Sequence, residues 1–204
     1  KELLLEVENN EFFKSINQKD KLLGYFIETF TSKYNFNDFK EIIPAEKAKA
    51  FSDVMDESLK KSGLMNGYLD GIRAEAKRFL SAKEYEKGMS LIENDIIQKG
   101  RATDLDYGLQ ADFYLMTKQY IKAEVAIKKA ISMNATNIEH QLRLAHVYLF
   151  SNRVSDAKDI HKKYRSNNIS SSKSWTQATK EDFDNFKKNG LPTDDFKKIL
   201  RIFE

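Results

Sequence analysis

The chain repeats itself with a period of 34 residues. Residues 111–130 read ADFYLMTKQYIKAEVAIKKA, and residues 145–164 read AHVYLFSNRVSDAKDIHKKY. The two stretches align without a gap. Identical residues recur at these aligned pairs: Ala111 and Ala145, Tyr114 and Tyr148, Leu115 and Leu149, Ala123 and Ala157. A fixed period of this length is typical of an array of helical hairpins, so it constrains the fold more than any other feature of the sequence.

A weaker third copy precedes these two at a spacing of 35 residues. It starts at Ala74 and reads AEAKRFLSAKEYEKGMSLIENDI, so Ala76, Phe79 and Gly88 take the places of Ala111, Tyr114 and Ala123. A small residue lets two helices approach closely, and an aromatic residue three positions on lies on the same helix face. We therefore predict three helical hairpins over residues 69–103, 104–137 and 138–171.

The segments on either side of the repeats also have helical patterns. Only 2 prolines and 8 glycines occur in 204 residues, too few for the frequent turns of an all-β fold. We predict an N-terminal helical segment over residues 1–68, with one helix ending at Ser62-Gly63 and a loop at Asn66-Gly67. A polar loop over residues 167–172 precedes C-terminal capping helices over residues 172–204. These contain the apolar residues Trp175, Ala178, Phe183, Phe186, Phe196, Ile199, Leu200 and Phe203.

The repeat resembles the tetratricopeptide repeat (TPR) family. The large, small, aromatic and small positions of the family's 34-residue unit correspond to Tyr107, Ala111, Tyr114 and Ala123. The match is degenerate, since Ala135 stands where the family has proline and His161 replaces a large apolar residue, which predicts that His161 packs inside its repeat. The resemblance implies an all-α, TPR-like helical-hairpin solenoid over about half the chain.

The resemblance also implies that the first helix of each unit lines a concave groove for a peptide or helix of a partner protein. By position, the groove residues are Arg73, Lys77, Asp112, Met116, Leu142, Arg143, His146 and Phe150. Leu80, Leu115 and Leu149 also map to the groove, although Leu115 and Leu149 fit a core role equally well. One subfamily grips a C-terminal carboxylate with basic side chains. Only Arg73 and Arg143 fit that pattern, so we expect a general peptide groove instead.

The sequence lacks the motifs of enzymes and metal sites. It has no cysteine, and the spacing of His140, His146 and His161 does not suit a helical metal pair. It also lacks a nucleophile elbow, a P-loop and a dinucleotide fingerprint. We therefore expect no catalytic residue, no metal and no cofactor. An enzyme domain within residues 1–68 is a further hypothesis that no motif supports.

The charge pattern bears on the partner class. The net charge is +3 with acidic and basic residues interspersed, which is unlike the concentrated basic face of a nucleic-acid module. The longest uncharged apolar runs are too short to span a bilayer. The chain begins at Lys1, so we expect a processed or trimmed chain. The compartment stays open: a chain without a visible signal fits the cytoplasm, and a removed leader would place it in the periplasm or at a membrane.

Two functions follow from these patterns. The first is a non-enzymatic protein–protein interaction module, an adaptor or scaffold that binds a partner in the groove. The alternative is a chaperone for a secreted or assembled bacterial protein. In that case Phe12, Phe13, Phe26 and Phe30 would pair with a client or a second copy, unless they pack among themselves. The identity of the partner and the oligomeric state stay open.

Overall fold

The computed structural model describes residues 53, 56, 57, 59–61, 63 and 65–204. The chain divides into two compact units, Lys1–Glu75 and Ala76–Glu204, which are described separately here. The predictions for residues 1–52, including the four phenylalanines above, lie outside the described residues.

The described part of the N-terminal unit is helical. Gly63 has a φ of +70°, and its N–H donates to the carbonyl of Lys60 at 3.2 Å. This turn confirms the predicted helix end, because glycine adopts a left-handed conformation without steric cost. The predicted loop at Asn66-Gly67 is wrong, since both residues lie in the first turn of helix α1, Met65–Ser81. The first N–H groups of a helix have no partner inside it, so asparagine and glycine are tolerated there.

The rest of the chain confirms the predicted all-α class. Seven helices follow α1 in the described residues, and α2 continues into a π-helical turn, Glu93–Ile97. Their bounds are α2 Tyr85–Ile92, α3 Asp104–Met116, α4 Tyr120–Met133, α5 Ile138–Phe150, α6 Val154–Tyr164, α7 Trp175–Lys188 and α8 Phe196–Leu200.

The polar stretch after α6 differs from its prediction. It forms a small antiparallel hairpin of β1, Asn168–Ser170, and β2, Lys173–Ser174, with Asn168 opposite Ser174. The backbone N–H of Trp175 donates to the carbonyl of Asn167 at 2.9 Å, so the hairpin leads directly into α7. The side chain of Ser174 caps α7 by accepting a hydrogen bond from the N–H of Gln177 at 3.2 Å.

The sequence period is also present in the backbone. Helix α5 begins and ends 34 residues after α3 begins and ends, and α6 begins 34 residues after α4. Each first helix ends in the same turn, with a left-handed residue at Lys83, Lys118 or Asn152 (φ 63°, 59° and 61°). The N–H after each of these donates to an aromatic residue's carbonyl: Glu84 to Phe79, Gln119 to Tyr114 and Arg153 to Tyr148, at 2.9, 2.8 and 2.8 Å.

A fourth copy of this turn follows α7. Gly190 has a φ of +73°, and the N–H of Leu191 donates to the carbonyl of Phe186 at 3.0 Å. The pair α7 and α8 thus ends its first helix as the three repeats do. The sequence pattern did not reveal this fourth turn, because the spacing from Asn152 to Gly190 is longer than the repeat.

The small residues of the repeat lie where helices touch. Ala111, Ala123, Ala145 and Ala157 are all buried. Gly88 occupies the corresponding place in α2, where an added Cβ would stand 2.3 Å from Cζ of Phe113. No side chain larger than hydrogen fits this contact without movement of the phenylalanine.

The C-terminal helices share the core of the hairpins. Phe183, Phe186, Leu191, Phe196 and Ile199 pack in one apolar cluster with the buried residues of α3 to α6. Trp175 is fully buried in a second cluster with Leu142 and Ala178. As a result, α7 lies against α5 and α6, which positions it beside the predicted groove.

Candidate functional site

A cavity of about 450 Å³ lies on the face formed by α3 and α5. Five of the eight predicted groove residues line it: Asp112, Met116, Leu142, Arg143 and His146. Leu80 and Leu115 also contribute to its wall. Leu115 and Leu149 are both buried in the core cluster, so the core role left open for them is confirmed.

The remaining three predicted groove residues lie elsewhere. Arg73 belongs to the N-terminal unit, where its guanidinium bonds Asp70 at 2.8 Å. Lys77 is exposed on α1 and does not line the cavity. Phe150 packs in an aromatic cluster, with its ring centroid 5.1 Å from that of Phe186. Helix α7 covers Phe150, which sequence position alone does not reveal.

The sequence pattern missed the second wall of the cavity. This wall comes from the β hairpin and α7, through Ile169, Lys173, Ala178, Asp182, Asn185 and Phe186. One signal was present: Trp175 lies 34 residues after Gln141, at the large-residue position of a further repeat unit. That register predicts a fourth first helix, and in the structure this helix closes the cavity.

An ion triad forms the first wall. The Nε atom of Arg143 donates to both carboxylate oxygens of Asp112 at 3.1 and 3.0 Å, and its Nη1 atom donates to Glu139 at 3.2 Å. Burial opposes the positive charge, but Asp112 and Glu139 raise the pKa of Arg143 above its ordinary value. The guanidinium is thus already shared between two carboxylates, and this sharing makes it a poor clamp for a partner's carboxylate.

The acidic residue on the opposite wall has no such partner. Among the described residues, the nearest basic atom recorded for Asp182 is Nδ1 of His146 at 3.8 Å. Burial and the neighbouring Asp112 raise the pKa of Asp182 to about 7, against the attraction of Arg143 and Lys173. The Asp182 side chain is 43% exposed, so part of the carboxylate faces solvent. The ammonium of Lys173 is held by Glu181 at 2.6 Å.

His146 lies beneath α7 and is buried, which corrects the prediction that it is exposed in the groove. Its ring meets that of Phe186 edge to face, with centroids 5.1 Å apart. Burial, followed by the charges of His161 and Arg143, lowers the pKa of His146 well below its ordinary value. His146 is therefore neutral at pH 7 and cannot neutralise Asp182.

The other two histidines have structural contacts. His161 is fully buried, as predicted, and its Nδ1 atom accepts a hydrogen bond from the indole of Trp175 at 2.9 Å. His140 is also fully buried, with Nε2 2.8 Å from a carboxylate oxygen of Asp104. Among the described residues, no group of three or more histidine or acidic side chains is placed to hold a metal ion.

The search for membrane spans gave none. In the part of the chain that the structure describes, no helix combines the length and the apolar character needed to cross a bilayer.

Comparisons with known proteins support TPR-like repeats. Over 81 residues the chain is 32% identical to the F-box/TPR repeat protein pof3 of Schizosaccharomyces pombe. The match spans 39% of this chain but only 14% of that protein. No family model matches the chain. No solved structure matches it either. The chain is thus similar to a TPR protein over a short part of that protein's length.

Proposed function

We propose that the chain is a protein-interaction module whose cavity between α3, α5 and α7 holds a segment of a partner protein. The observation that carries the proposal is the cavity itself, which is built from the repeated first helices and has a volume typical of ligand sites. The similarity to a TPR repeat protein supports the same role.

The lining suits a protein segment. Leu115, Met116, Leu142 and Phe186 give the cavity an apolar floor, and charged residues surround it. Peptides bind such surfaces through a few apolar anchors, while charged groups set their orientation. The flexible thioether of Met116 adapts to anchors of different shape.

The chaperone alternative receives no specific support. It depends on phenylalanines that lie outside the described residues. The similar protein comes from a fission yeast, so the comparison does not favour a bacterial client either. Binding without catalysis is the simpler proposal, because the cavity lining contains no cysteine and its one histidine is buried and neutral.

The proposal is tested by selecting peptides from a random dodecapeptide phage library on the full chain. Selected peptides are then synthesised with a fluorophore, and their affinity is measured by fluorescence anisotropy. Met116→Glu places a carboxylate on the apolar floor and is expected to weaken binding by about tenfold or more. Met133→Glu is the matched control, since Met133 is 46% exposed on α4 and does not line the cavity.

Circular dichroism melting of both variants checks that they fold. Equal affinities of the wild-type chain and Met116→Glu would contradict the proposal. So would an equal loss of affinity in both variants, or a selection that enriches no specific peptide.

A further inference from the structure

We infer that the cavity selects a partner segment that presents a lysine or arginine side chain to Asp182. The inference rests on the proposed function and adds to it the chemistry of the preferred partner.

The first step is the unpaired carboxylate of Asp182. No lysine or arginine forms an ion pair with it in the described residues, and His146 at 3.8 Å is buried and lies among aromatic rings. A partly buried carboxylate without a cationic partner is unfavourable in the free protein. An incoming cation would supply the missing partner.

The second step is the balance of charge around Asp182. Three carboxylates line the cavity, those of Asp112, Glu139 and Asp182, against the two cations Arg143 and Lys173. Arg143 is bonded to both Asp112 and Glu139, and Lys173 is bonded to Glu181 just outside the lining. The cavity therefore has an excess of negative charge, which is complementary to a basic segment.

The third step is the apolar surface next to Asp182. Ala178 and Phe186 lie one turn before and one turn after it on α7, and both line the cavity. The methylene groups of a lysine or arginine side chain pack on such a surface while the charged end reaches a carboxylate. A guanidinium also stacks favourably on an aromatic ring such as that of Phe186.

An acidic segment fits the cavity less well. It would have to displace Asp112 or Glu139 from Arg143, or Glu181 from Lys173. Each displacement would leave a carboxylate without its partner, and the incoming acid would also be repelled by Asp182.

The test uses a positional-scanning library of octapeptides with acetylated N-termini and amidated C-termini, which removes terminal charges. One position is fixed in each pool, and binding to the full chain is measured by competition. We expect pools with fixed arginine or lysine to bind about tenfold more tightly than the pool with glutamine at the same position. Asp182→Asn is expected to reduce this preference to within about twofold, because the charged partner is gone.

Asp184→Asn is the matched control, since Asp184 is exposed on the same helix and does not line the cavity. Binding that depends on Met116 but shows no preference for basic residues would overturn the inference and leave the proposed function intact. A preference for glutamate would overturn it in favour of recognition by Arg143 or Lys173. A basic preference that survives in Asp182→Asn would also overturn it. Absence of any binding that depends on Met116 would overturn the proposed function itself.

Discussion

The indole N–H of Trp175 donates to Nδ1 of His161 at 2.9 Å, in the buried contact between α7 and α6. The two rings meet nearly edge to face, with centroids 5.6 Å apart. Because Nδ1 accepts this bond, it carries no proton, and His161 is neutral in the folded chain. Burial lowers the pKa of His161 to about 4. The bond joins the last predicted repeat to α7, which forms the second wall of the cavity.

This bond predicts that the chain loses stability in mild acid. An unfolded histidine has a pKa near 6.5, so between about pH 6.5 and pH 4 the unfolded chain binds more protons at His161 than the folded chain. His146, with its lowered pKa, adds to the same effect. The contribution is complete above about pH 6.5 and is lost as pH falls toward 4. At pH 5, His161 alone lowers the free energy of unfolding by about 2 kcal/mol.

Urea denaturation at pH 7 and pH 5 measures this loss. Asp182 acts in the opposite direction, so the comparison is made in the Asp182→Asn variant. A urea midpoint that is the same at both pH values would contradict a neutral, buried His161.

Replacement of Asp182 by asparagine is predicted to stabilise the free protein at alkaline pH. The folded pKa of Asp182 is raised to about 7, from an ordinary value of 3.8. Its ionised form is therefore unfavourable in the folded state, and stability falls as pH rises from about 4 through 7. Asp112, Arg143, His146, Lys173 and Glu181 surround it.

The gain at pH 8 should be below about 1 kcal/mol, because solvent screens a side chain that is 43% exposed. The gain should vanish near pH 4, where the carboxyl is neutral in both states. Thermal melts of Asp182→Asn and of the control Asp184→Asn at both pH values measure it. Destabilisation by Asp182→Asn at pH 8 would show that the carboxylate is well paired in the folded chain.

Gly88 is predicted to tolerate no side chain. An alanine Cβ would lie 2.3 Å from Cζ and 2.6 Å from Cε1 of Phe113, so Gly88→Ala should destabilise the chain by about 1–3 kcal/mol. Gly67→Ala in α1 is the control. Its Cβ would meet nothing within 4 Å, and alanine has the better helix propensity. Chemical denaturation compares the two, and an equal effect of both changes would contradict the close contact between α2 and α3.

The turn between α3 and α4 is predicted to be improved by glycine. Lys118 has a φ of +59°, which costs a residue with a Cβ atom about 1 kcal/mol. Lys118→Gly should therefore raise the melting temperature. Lys122→Gly, at an exposed position inside α4, should lower it by a similar free energy. A lower melting temperature for Lys118→Gly would mean that its side chain has a stabilising role that outweighs this strain.

The helices of the repeats were predictable, because their signal is local and repeated. Ala111 and Ala145 mark the same close contact 34 residues apart, so the bounds of α3 to α6 follow from the spacing. Asn66-Gly67 shows the limit of local reasoning, since a pair typical of turns also fits the first turn of a helix.

The cavity was predictable on one side only. Asp112, Met116 and Arg143 follow from the repeat register, since all three lie on its first helices. Asp182 does not, because the position of α7 depends on the packing of Trp175 and Phe186 against α5 and α6. The same packing covers Phe150 and buries His146, both of which the repeat register places in an open groove.

The central claim is that the cavity, rather than the outer surface of the repeats, binds the partner segment. The most direct test is a nuclear magnetic resonance titration of the chain labelled with ¹³C at its methionine methyl groups, using a peptide selected as described above. Met116 lies in the cavity and Met133 lies exposed on α4, so one spectrum reports both surfaces. We predict that the Met116 signal shifts as the peptide is added while the Met133 signal stays in place. A shift of Met133 with an unchanged Met116 would contradict the claim.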